Sequence, residues 1–431
     1  MSAVSPFVAD GLVVNAAEVV TCAGFSGAPA RGREQGHVQV VRDGAIAIAG
    51  ERIVAVGARA RLQREFSVPP QNVIDARGGV VLPGLVDPHT HLVFAGDRVA
   101  EWEERLLGRS YLDISRAGGG IASTVRATRA ASFAALLAGA QYRARLCLEH
   151  GTTTLEAKSG YCLDYDGELR LLEVASAVGQ SQPLTVVSTY LGAHVMPAEF
   201  DHDRAGYLAL CERTQTEAAR RGLARFADVF CEAEAFTLRE TERLLSHAKG
   251  VGLGIKVHAE QFSASGAARL GAELGATSID HLEYVSDDDL AFLATRQQPP
   301  IAVLLPGVTF HLGLERRAPA RRLIERGLPI ALATDLNPGS SPTPSMPMVI
   351  ALACRYLGLT VSECVVAATI NAAHAVGMGH DRGSLEPGKR ADIVLCDVPD
   401  HRYLGYAFGA NPVTTVIVGG TIVVDRRAPR I

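Results

Sequence analysis

The interior of the chain alternates two textures. Apolar runs of strand length, among them "LTVVSTYLGAH", "ADVFCEA", "GIKVHAE", "TSIDHLE", "IAVLLPG" and "IALATD", are separated by longer Ala- and Leu-rich stretches with helical spacing, as in "DGELRLLEVASAVGQ" and "LRETERLLSHAKGVG". Strands that are apolar on both faces belong to parallel sheets covered by helices. About 250 residues or more of this alternation is the size at which such units close into a (β/α)8 barrel. The pattern therefore predicts an α/β protein with a TIM-like barrel over residues 76–380. No glycine fingerprint for dinucleotides follows the first strand, which argues against an open doubly wound sheet.

The two ends read differently. Residues 1–75 and 381–431 carry short β-rich runs broken by glycine turns. "AIAIAGERIVAVG" reads as two strands around Gly50-Glu51-Arg52, and "TTVIVGGTIVVD" as a hairpin on Gly419-Gly420. A small β-sandwich domain assembled from both termini is the expectation.

Composition narrows the partners. Hydrophobic residues make up 48% and charged residues 20%, enough for a large core, and the net charge of −4 gives no attraction for nucleic acid or a membrane surface. A small-molecule substrate fits better. The eight cysteines include no C-x-x-C pair, so neither a structural zinc site nor a disulfide framework is indicated. The first residues carry Asp10 and Glu18 in their apolar part and make a poor signal peptide. With no apolar span of membrane length, a cytoplasmic location is expected.

Chemistry gathers at the strand ends. In "VLPGLVDPHTHLVFAGDR" an apolar run finishes with Asp87, His89 and His91 at alternate positions, hence on one face of a strand. His258 in "GIKVHAEQ", His281 in "TSIDHLEY" and Asp335 in "IALATDLNPGSS" stand where other apolar runs meet loops. Each has a bland reading: His281 as a core histidine, Asp335 as the cap of a turn. Together, at the C-terminal ends of four barrel strands, they would converge on one mouth. Three imidazoles and a carboxylate around one divalent ion leave room for water. Such an ion lowers the pKa of water from ~15.7 toward ~7 and polarises a carbonyl. Asp335 is then a candidate to take the proton, and His281 to orient the water or stabilise an oxyanion. The reaction class is hydrolysis.

With those residues the chain resembles the amidohydrolase superfamily. The stretches "RAGGGI", "GTTTLEAKSGY", "YLGAH", "KVHAEQ", "DHLEYVSD" and "ATDLNPGSSP" resemble the branch that opens 4-imidazolone-5-propanoate to N-formimidoyl-L-glutamate in histidine catabolism. The resemblance implies a mononuclear Zn²⁺ or Fe site held by His89, His91, His258 and Asp335, with His281 and Gln261 in catalysis. It implies substrate contacts from Arg98, Tyr111, Tyr161, His194 and Gln261, and product contacts from Asn337, Gly339 and Ser340. It also suggests a homodimer.

An arginine fork suits the substrate's propionate, although Arg98 reads equally well as a surface partner of Glu101. The mononuclear pattern argues against a carbamylated Lys158. Cys162, Leu336 and Met196 depart from the branch's usual residues without removing a polar contact. A related cyclic amide or amidine, or an aminated heterocycle, remains an alternative substrate.

Overall fold

A computed structural model describes residues 7–109, 113, 114 and 118–427. Eight parallel strands form one sheet in sequence order: Leu85–Asp87, Thr152–Lys158, Thr185–Ala193, Phe226–Cys231, Gly254–Ala259, Ser278–His281, Ile301–Leu304 and Ile330–Leu332. Helices on the outside connect them, and several of their starts are capped by side chains. Asp164 accepts from Gly167 N ahead of Tyr165–Ser181, and Thr237 with Glu240 forms a capping box ahead of Leu238–Gly250. The strands are buried along almost their whole length, as a parallel sheet clad in helices requires. The expected barrel is present.

The last strand meets the first just beyond the regular ladder. Thr90 and Leu336 form a parallel bridge. His91 N donates to Leu336 O at 2.9 Å, and Asp335 N donates to His89 O at 3.0 Å. The backbone that closes the barrel is thus the backbone that carries three of the predicted ligands.

Strands from both termini build a second sheet in the order Thr421–Asp425, Val413–Val418, Ile393–Cys396, Val80–Pro83, Gly11–Val20, Val40–Ala49 and Arg52–Ala58, with Val73–Asp75 paired to Gly11–Val20. Two-residue periodicity sorts its side chains. Ile46 and Ile48 pack with Val13, Val81, Ile393 and Ile417, whereas Ala45 and Ala47 face Leu12 and Leu62 on the other side. Gly419 and Gly420 both have positive φ, as a tight hairpin turn demands. The sheet runs through Pro83, and after Gly84 the chain enters the first barrel strand.

Candidate metal centre and its surroundings

His89 and His91 leave the first strand on the same face, and the closing bridge sets Asp335 against them. Asp335 Oδ1 lies 3.4 Å from His89 Nε2 and 3.3 Å from His91 Nε2. The His258 ring, from the fifth strand, has its centroid 4.5 Å from that of His89. The nearest ring nitrogens of His89, His91 and His258 fall within 4.8 Å of one another, and so do the donor atoms of His89, His281 and Asp335. His89 Nε2, His91 Nδ1, His258 Nε2 and Asp335 Oδ1 are buried, with no hydrogen-bond partner among the described residues. Buried polar atoms are nearly always paired, so a cluster of unpaired ones in a donor set of three imidazoles and a carboxylate fits a metal ion.

Charge states agree with that use. Burial holds the His89 and His91 imidazoles below their ordinary pKa, hence neutral, with a lone pair available. Burial alone would raise Asp335, but His91 and the neighbouring imidazoles hold it below the usual carboxylate range.

Two aspartates sit behind the histidines. Asp280 Oδ2 is 2.6 Å from His89 Nδ1, and Asp228 Oδ2 is 3.0 Å from His258 Nδ1. A carboxylate on the far nitrogen fixes ring orientation and tautomer in metal-ligating histidines. Lys158, sealed in the barrel, places its Nζ 2.7 Å from Asp228, 2.9 Å from Glu156 and 3.6 Å from Asp280. Lys256 Nζ lies 2.9 Å from the other oxygen of Glu156. Burial opposes the Lys158 charge, yet the three carboxylates raise its pKa above the ordinary lysine value. An ammonium so held has no lone pair for carbamylation. Asp87, one step deeper than His89, accepts from Thr334 N at 3.0 Å and Thr334 Oγ1 at 2.6 Å. It supports the residue before Asp335.

His281 joins the site through an unusual backbone. Strict alternation would turn Asp280 and His281 to opposite faces of their strand. His281 and Leu282 adopt φ of 83° and 72°, a region that non-glycine residues rarely enter and that gathers at functional sites. The His281 ring is thereby 5.2 Å from that of His258 and 5.6 Å from that of His89. Burial lowers its pKa to about 3. Asp335 and Glu260, also at strand ends, have positive φ too. Glu260 turns away from the mouth, accepting from Ala268 N at 3.1 Å at the start of helix Ala267–Leu274. Two residues past His281, Glu283 is buried, and its carboxyl is pushed up to about 8 by burial.

The remaining predicted residues form two groups. His194 stacks on His91 with centroids 5.1 Å apart, and Tyr161 lies 5.4 Å from His194 and 5.5 Å from His91. The turn bearing Tyr161 is pinned by the buried Glu168, which accepts from the backbone of Gly160, Cys162 and Leu163, each at 2.8 Å. Gly160 there has φ of 105° with His194 packed beside it, a place only glycine fills without strain.

Around the eighth strand, Arg98 donates to Glu101 at 2.8 Å and lies against Gly339, where a side chain would collide with the guanidinium. Glu101 therefore braces Arg98 beside the predicted product loop. Asn337 spends its side chain on that loop: Oδ1 accepts from Gly339 N and Ser340 N, and Nδ2 donates to Asp335 O and Ser340 Oγ. Gln261 is buried in the loop after the fifth strand, which Glu232 anchors through Phe262 N and Ser263 N. Tyr111 lies outside the described residues.

Sequence reasoning passed over Glu156, Asp228, Lys256, Asp280, Glu168 and Glu283. The signal for four of them was present: charges inside strands otherwise apolar enough to be buried on both faces, as with Lys256 two residues before His258.

The matching family model, described as the amidohydrolase family, covers residues 80–423. The chain belongs to the amidohydrolase family. Among its relatives, the imidazolonepropionase of Geobacillus thermodenitrificans is 48% identical over 95% of this chain and 97% of its own length. That of Symbiobacterium thermophilum is also 48% identical, over 96% and 97%. Similar solved structures include a 5-methylcytosine deaminase from Klebsiella pneumoniae, with a TM-score of 0.73 at 16% identity over 97% of this chain and 98% of that one. A zinc-bound adenosine deaminase from Xanthomonas campestris gives 0.71 at 19% over 99% and 95%. At those identities the structures speak to the fold alone.

Proposed function

We propose that this chain hydrolyses the ring C–N bond of 4-imidazolone-5-propanoate to N-formimidoyl-L-glutamate, in histidine degradation. The observation that carries the reading is the set of unpaired, buried donor atoms at the barrel mouth, in a chain that matches imidazolonepropionases at 48% identity over nearly its whole length. His89, His91, His258 and Asp335 would hold one ion, zinc or iron, which elemental analysis distinguishes. When bound, such an ion supplies Lewis-acid chemistry, polarising the ring carbonyl and acidifying water.

The chain's own residues do the rest. Asp335 accepts a proton from the attacking water and returns one to the departing ring nitrogen. His281 faces the carbonyl whose oxygen gains charge. Arg98, braced by Glu101, grips the propionate, and Tyr161, His194 and Gln261 flank the ring. The loop of Asn337, Gly339 and Ser340 receives the opened product. Metal retention by the neutral histidines follows from the carboxylates behind them.

The test is turnover by purified enzyme of imidazolonepropionate beside hydantoin-type rings and aminated heterocycles. Disappearance of imidazolonepropionate with release of formimidoylglutamate is expected. Turnover of another ring with imidazolonepropionate untouched would overturn the substrate. A homodimer, read by light scattering, and a cytoplasmic location, read by fractionation, complete the proposal; among the described residues no helix is long and apolar enough to cross a membrane.

A further inference from the structure

We infer that Glu283 is a positioning residue for His281, gripping its Nδ1 so that the other ring nitrogen is presented to the reacting atoms. The inference rests on the ring-hydrolysis reading above, which places His281 at the carbonyl. Both side chains are sealed from solvent. His281 Nδ1 and Glu283 Oε2 each lack a hydrogen-bond partner among the described residues, and they lie 3.9 Å apart. Each is thus the unpaired neighbour of the other.

The backbone of Glu283 is held in place. Arg316 Nε donates to the Glu283 backbone oxygen at 2.9 Å. With the backbone so fixed, Oε2 lies toward His281 Nδ1. A gap of this size is ordinary for catalytic contacts before substrate arrives, and it tightens in the loaded site. A buried carboxyl with an unpaired oxygen is unfavourable for folding. A purely structural position would fare better with an apolar side chain. The twisted backbone at His281 and Leu282 carries a similar burden. Both expenditures fall on one ring.

Two variants test it: Glu283→Gln and Glu283→Leu, assayed on metal-loaded enzyme with imidazolonepropionate. We expect kcat to fall about 10-fold in the first and about 100-fold in the second, with KM within about 2-fold of wild type. The Gln variant should melt no lower than wild type, because the amide is close in shape to the Glu283 carboxyl, which burial already keeps neutral near pH 7. In ¹⁵N-histidine-labelled protein, the His281 Nδ1 resonance should move in both variants. Wild-type kcat in both variants, or an unmoved resonance, overturns the inference. So does a kcat loss matched by a rise in KM and a lower melting temperature in both, which reports a collapsed mouth. Failure of wild-type enzyme to open the imidazolone ring overturns the functional reading instead; the resonance then still decides whether Glu283 holds His281.

Discussion

Among the described residues, two regions bring a buried histidine within ligand distance of carboxylates, and proximity alone does not separate them. One is the barrel mouth. The other, Glu18, Asp400 and His401, lies at the sheet built from both termini. There His401 Nδ1 meets Glu18 Oε2 at 2.8 Å, its backbone N donates to the same oxygen at 3.0 Å, and its Nε2 pairs with Ser362 Oγ at 3.1 Å. Arg42 takes the remaining oxygen of Glu18, and Arg402 takes Asp400. Every ligand-capable atom of that histidine is already used. At the mouth, His89 Nε2, His91 Nδ1, His258 Nε2 and Asp335 Oδ1 have no hydrogen-bond partner among the described residues. Unpaired donors in a sealed site cost free energy that a bound ion returns, whereas a fully paired cluster gains nothing by taking one. What marks the candidate metal centre is the unmet need of its atoms.

The sharpest attempt to break that contrast is His258→Ala. Removing one proposed ligand should leave protein without bound metal by elemental analysis and without measurable ring hydrolysis. Metal retained at wild-type stoichiometry with unchanged turnover would sink the ligand assignment. Next comes the layer behind the ligands. Lys158→Met leaves Asp228 and Asp280 without their shared cation, and stranding buried charges costs about 3–5 kcal/mol of stability, read as a lower urea midpoint. Asp280→Asn keeps the shape but weakens the hold on His89 Nδ1. Chelator competition should show the metal dissociation constant raised about 10- to 100-fold. Equal affinity in wild type and Asp280→Asn would mean that Asp280 does not orient a ligand.

A smaller effect appears in acid. Burial, then His91 and His258, lower the His194 pKa to about 3 from 6.5. Above pH 6.5 the ring is neutral folded or unfolded and adds no pH dependence. Below it, only the unfolded chain takes up the proton, so the folded state loses ground until about pH 3. Metal-stripped wild type and His194→Asn should therefore diverge on acidification across that window. The difference in unfolding free energy grows by at most about 1.4 kcal/mol per pH unit, with the variant losing less. Parallel urea midpoints at pH 7.5, 6 and 5 would show that His194 is not held neutral.

How far this site could be read from the sequence depends on where backbone geometry stays regular. The strand–helix alternation announces the barrel, because burial on both faces of a parallel sheet leaves a continuous apolar trace. His89 and His91 stand out because two-residue periodicity still holds at the end of their strand. Asp280 does not, since it precedes His281 and only the positive φ there lets both serve one site. Glu156, Asp228 and Lys256 show in the sequence only as charges inside apolar strands; their pairing, which runs through Lys158, joins distant segments and no local pattern records it. Arg98 had two readings, and the structure accommodates both, since its bond to Glu101 leaves it beside Gly339.

The smallest expected effect belongs to the paired cluster. His401→Ala removes the Nδ1 contact but leaves Glu18 the backbone N of residue 401 and the Arg42 guanidinium. The Nε2 bond to the part-buried Ser362 Oγ goes too, and two hydrogen bonds lost with Glu18 still partly satisfied cost about 1–3 kcal/mol. Because His401 contributes no unpaired atom, metal content and kcat should equal wild type while the melting temperature falls. If elemental analysis instead found metal lost from this variant while the mouth histidines were intact, satisfied hydrogen bonds would not protect a cluster from being a ligand site. The distinction drawn between the two regions would then fail at its physical root.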